Sequence, residues 1–106
     1  MSHLITLRHA TPRANLRSIL SGGLDPARSK GPRQEVWLHS PCRTAWAILH
    51  TGQRHLINTN DIAVITVQIP RSWMTRRRRC IWTVKCVIGP ERIVSVNPRA
   101  SLIAAA

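Results

Sequence analysis

A chain of 106 residues has the size of one domain and is too short for two. Sixteen Lys and Arg face only four acids, leaving a formal charge of +12, and the 43% of hydrophobic residues can build a modest core rather than a disordered chain. Self-repulsion at that charge destabilises a compact domain, so the composition points to an anionic partner. It points away from a membrane, because no apolar run approaches the ~20 residues of a span.

The anion expected is a nucleotide or a nucleic acid, with an acidic protein surface as a third possibility. All the cations except Lys30 and Lys85 are arginine, whose fork matches phosphate bidentately. The three cysteines Cys42, Cys80 and Cys86 are odd in number and form no C-x-x-C pair, which argues against a disulfide framework and a structural zinc. No metal site is expected. His3, Arg8 and His9 interrupt the apolar residues of the N-terminus, so a signal peptide is not expected, and a cytoplasmic location is.

In chain order, Leu4 to Arg8 is a predicted strand. Thr11-Pro12 has the form of a helix start, in which Thr caps and Pro takes the first helical position. Leu16, Ile19 and Leu20 then fall on one face, and Gly22-Gly23 is the stop. The polar, Pro- and Gly-containing stretch from Asp25 to Gln34 is a predicted loop. Glu35 to His39 is a second strand, and Ser40-Pro41 repeats the helix-start device. The following helix is predicted over Arg43 to His50, with Ala45, Trp46 and Leu49 facing inward and Gly52 closing it.

Ile62 to Ile69, dominated by Val, Ile and Thr, is a third strand that ends at Pro70. The run Arg76 to Arg79 precedes a predicted strand from Cys80 to Val87. Gly89-Pro90 is a turn, and Arg92 to Val96 is a last strand broken by Asn97-Pro98. Residues 98–106 are expected to fray. The predicted order, β-α-β-α-β-β-β, implies an α+β domain with a largely antiparallel sheet and two short N-terminal helices. The cysteines are expected to be buried small hydrophobes.

Three segments carry more specific information. The first is Leu7-Arg8-His9-Ala10-Thr11 followed by Asn15-Leu16-x-x-Ile19-Leu20-x-x-Gly23-Leu24. The second is Val36-Trp37-Leu38-His39-Ser40-Pro41 with Ala45-Trp46 behind it. The third is Val87-Ile88-Gly89-Pro90-Glu91-Arg92-Ile93. In this order, and covering nearly the whole chain, they resemble the motifs of the ADP-ribosyltransferase superfamily.

That resemblance implies a small split sheet with NAD in the cleft between its halves. His9 would hydrogen-bond a ribose, Trp37 would stack on the nicotinamide, and Arg8 with Arg43 would hold phosphates. Thr11, His39 and Ser40 would complete the cofactor site, with His9, Trp37 and Ser40 converging on one cleft. The superfamily's late-strand glutamate has no counterpart, because no acid lies between Asp61 and Glu91. The chain is also similar to the RNA 2′-phosphotransferase branch, which uses His and Arg instead. There, Ile81-Trp82-Thr83 before Val87-Ile88-Gly89-Pro90 matches a late segment.

The expected function is therefore binding of NAD, or of an ADP-ribosylated or phosphorylated nucleic acid. Any activity would depend on His9 and arginines. The alternative is a non-catalytic nucleic-acid-binding module on a degenerate scaffold. In both, Arg76, Arg77, Arg78 and Arg79 are candidates for phosphate contacts.

Overall fold

A computed structural model describes residues 3–29 and 33–98. The domain is α+β. Strand β1 (Leu4–Pro12) leads to helix α1 (Leu16–Gly22), strand β2 (Val36–His39) and helix α2 (Thr44–His55). Strands β3 (Ile62–Pro70), β4 (Met74–Arg78), β5 (Ile81–Val84) and β6 (Ile93–Pro98) follow. They form one antiparallel six-stranded sheet in the order β4-β5-β2-β1-β3-β6.

The sheet is uneven. β1 and β3 pair over nine residues, from Leu4↔Pro70 to Pro12↔Ile62. β1 and β2 share a single register pair, Arg8↔His39, and then separate. The sheet thus consists of two three-stranded halves joined at one rung, and the gap beyond that rung positions the site.

Each face carries its own core, because strand residues alternate sides. Leu7, Leu38, Ile65, Val67, Ile69 and Val84 share one face with Ile19, Leu24 and Ile88. Ile62 and Val64 point the other way, against Ile48 of α2. β3 is therefore covered on both sides, which its near-continuous apolar sequence requires. Each fully buried Ile or Val there contributes about 1.5–3 kcal/mol.

Several local expectations are corrected. β1 runs four residues beyond Arg8, so Thr11 is a strand residue and caps no helix; its hydroxyl accepts from Asn15 Nδ2 at 3.3 Å. Pro12 ends the strand ahead of a 3-10 turn, Arg13–Asn15, and Leu20 is half exposed on α1. α2 buries Thr44, Ala47, Ile48 and Gly52, while Ala45, Trp46 and Leu49 face outward. Both sets recur at helical spacing; the side that packs on β1 and β3 is the one without the indole. Gly52 lies inside α2 rather than closing it, and Leu56 in the left-handed conformation (φ 55°) ends the helix.

Arg76 to Arg78 are themselves part of a strand, the extra edge strand β4, and the turn at Arg79 and Cys80 (φ 64°) leads the chain into a shorter β5. Charged residues suit an edge strand, where they oppose pairing with another chain. Asn97 and Pro98 belong to β6, opposite Val64 and Ala63. The rest of the expected frayed tail lies outside the described residues. Cys42 and Cys86 are exposed, because both fall in connections between elements.

Two of the sequence segments meet in space. Leu24 and Ile88 exchange backbone hydrogen bonds, Leu24 N–H to Ile88 O at 2.8 Å and Ile88 N–H to Leu24 O at 2.9 Å. Gly23 must be glycine for this clip. Its φ is 85°, and a Cβ there would collide with the Ile88 carbonyl.

Candidate functional site

Beyond the Arg8↔His39 rung, the diverging strands β1 and β2 open a cleft of about 380 Å³. Its walls come from β1 (His9, Thr11), β2 (Trp37, His39), α1 (Ile19) and α2 (Trp46, His50, Arg54). Arg28 and Ser29 line it as well. By strand alternation His9 lies on the Leu7 side of the sheet and Trp37 on the other. They reach the same cleft because the strands have separated.

His9 spans the gap where the next rung would be. Its Nδ1 lies 2.7 Å from the Trp37 carbonyl, and since a carbonyl only accepts, Nδ1–H must be the donor. Burial pushes the His9 pKa down; the Trp37 hydrogen bond opposes this, and His55 adds to it. The ring is neutral at pH 7, with its tautomer set and Nε2 left as the acceptor.

His39 is buried at 4% exposure, and its pKa is lowered to about 4, chiefly by burial and then by His9 and Arg8. Its Nε2 has no partner, an arrangement that buried polar atoms rarely show without a function or a bound group. Trp37 is 43% exposed, an indole left open to the cleft rather than packed in a core.

Arg8, Ser40 and Arg43 do not line the cleft. Arg8 Nη1 donates to Thr44 Oγ1 at 3.0 Å, and the Thr44 hydroxyl donates to the Pro41 carbonyl at 2.6 Å. Arg8 Nε is buried without a partner. The Arg43 guanidinium lies over the Trp46 ring, 5.8 Å from its centroid. Ser40 N–H donates to the Cys80 carbonyl at 3.0 Å, tying β2 to the β4–β5 hairpin. Of the candidate residues, the cleft thus gathers His9, Thr11, Trp37 and His39.

Sequence reasoning missed Trp46, His50, Arg54 and Arg28. The signal for the first three was present, because residues 46, 50 and 54 are spaced i, i+4, i+8 on one helical face. The Trp46 and His50 rings stack, with centroids 5.0 Å apart. Glu35 was missed as well. It immediately precedes β2 at a cleft wall, is 4% exposed and pairs with Arg77. Arg77 also donates through Nε to Thr83 Oγ1 at 3.0 Å. That leaves Arg76, Arg78 and Arg79 as the exposed members of the arginine run.

Four histidines line the cleft, yet among the described residues no three His, Cys, Asp or Glu side chains converge as metal ligands. Nor, among those residues, is any helix long and apolar enough to cross a membrane. Compared with protein-family models and with curated protein sequences, the chain matches none.

Proposed function

We propose that the cleft between β1 and β2 binds NAD, or an ADP-ribosylated or phosphorylated nucleic acid, as in the RNA phosphotransferase branch of the ADP-ribosyltransferases. The observation that carries this is the His9 bridge. A neutral imidazole with its donor already committed offers Nε2 to a sugar hydroxyl, while the exposed Trp37 indole offers a stacking surface to a ring. The cations Arg28 and Arg54 supply contacts for a phosphate-bearing ligand. A cleft of about 380 Å³ is within the range of small-molecule sites.

Bound NAD would supply a glycosidic bond made labile by the positive nicotinamide. The protein's own part is to orient and shield the ligand. Glutamate-driven transfer is not included, because β5 carries no acid and Glu35 is engaged with Arg77.

Calorimetric titration with NAD tests the proposal. His9→Ala and Trp37→Ala should each raise Kd at least tenfold. Parent protein that binds no NAD at millimolar concentration, or variants that bind like the parent, would overturn it. NAD turnover abolished by Glu35→Gln would overturn the exclusion of glutamate.

The second reading, a non-catalytic nucleic-acid-binding module, is favoured by the exposed Arg76 and Arg78 on edge strand β4, by Arg79 in the turn after it and by the charge of +12. It expects RNA binding without NAD binding.

A further inference from the structure

α2 covers β1 and β3 but leaves the same face of the β2–β5–β4 half uncovered. There a second hollow, a bay of about 510 Å³, is lined by Arg33, Gln34, Glu35, Arg77 and Lys85. Val36 pairs with Val84, so Glu35 and Lys85 sit next to each other across the β2–β5 ladder. Glu35 lines both the bay and the cleft and so forms part of the wall between them.

The charges in the bay do not balance. Three cations surround one carboxylate. Arg77 engages Glu35 Oε1, while Arg33 and Lys85 are exposed. Glu35 Oε2 is buried and has no partner. Arg77 engages the Glu35 carboxylate, whose other oxygen is enclosed, so the bay's excess charge of +2 stands on Arg33 and Lys85 and lacks an anion.

We infer that the bay binds a nucleic-acid strand, with a backbone phosphate resting on the exposed Arg33 and Lys85. An acidic protein surface is the competing occupant, and polyglutamate stands in for it in the test. The inference rests on the nucleic-acid partner proposed above and assigns that partner a place outside the nucleotide cleft.

The test is binding of a fluorescent 12-nucleotide single-stranded RNA at several salt concentrations, with NAD calorimetry on the same samples. Arg33→Ala/Lys85→Ala should weaken RNA binding about tenfold and flatten the log–log salt slope by roughly 1.4, since each cation–phosphate contact on a single strand contributes ~0.7. NAD binding should not change. Arg13→Ala/Arg17→Ala removes equal charge from exposed positions on the α1 side and should weaken RNA binding no more than about twofold. Melting curves confirm that both double variants are folded. Equal losses from the two pairs would reduce the effect to net charge and overturn the inference. So would an unchanged affinity in Arg33→Ala/Lys85→Ala, a parent that binds no RNA, or polyglutamate that displaces RNA with the same dependence on Arg33 and Lys85. NAD binding that fails while the RNA effect holds would overturn the cleft proposal and leave the bay intact.

Discussion

His39 shows how one side chain ties the site to stability. It faces Arg8 across the only rung between the sheet halves and is almost fully buried. Its folded pKa of about 4 lies below the ordinary 6.5, so the unfolded chain takes up the proton first as pH falls. Stability from this group is complete above pH 6.5 and declines as pH drops toward 4. The span corresponds to at most about 3 kcal/mol, at ~1.4 kcal/mol per pKa unit. Urea unfolding at pH 7.0 and 4.5 should show that loss in the parent and a smaller one in His39→Asn. Equal losses would show that the pH dependence arises elsewhere. None of this was legible locally: His39 reads as a polar strand end, and its isolation depends on which strands lie beside it.

Among elements, the β4–β5 hairpin divides the arginine run by face. Arg77 points to Glu35 and Thr83, while Arg76, Arg78 and Arg79 are exposed. Removing Arg77 leaves a buried, uncompensated carboxylate, so Arg77→Ala should cost about 2–4 kcal/mol. Arg78→Ala should stay within about 0.5 kcal/mol. Urea midpoints compare the two directly, and equal small effects would mean that the Glu35–Arg77 pair contributes little. Helix α2 carries the same lesson. Trp46, expected inside, lines the cleft, because Ala47, Ile48 and Gly52 let the helix approach the sheet closely. A large indole in that seam would hold the helix off.

At the scale of the whole molecule the formal charge of +12 dominates. Screening of like charges should raise Tm by several degrees between about 20 mM and 300 mM NaCl. A Tm independent of salt would show that the cations are spread too far apart to repel appreciably. The same field draws in anions, and steering of RNA should weaken over that salt range.

The α+β class, the order of the helices and of all strands but β4, and the strong β3 strand could be read from the chain, because these depend on periodicity and on Pro and Gly punctuation within short windows. His9 and Trp37 became candidates through a resemblance of motifs, not through local periodicity. Only tertiary structure decided that they share a cleft. Strand alternation sends them to opposite faces, and what reunites them is the parting of β1 and β2 after a single rung. The pairing of Glu35 with Arg77, 42 positions apart, was equally out of reach. It depends on β5 pairing with β2, a long-range contact that leaves no mark in local composition.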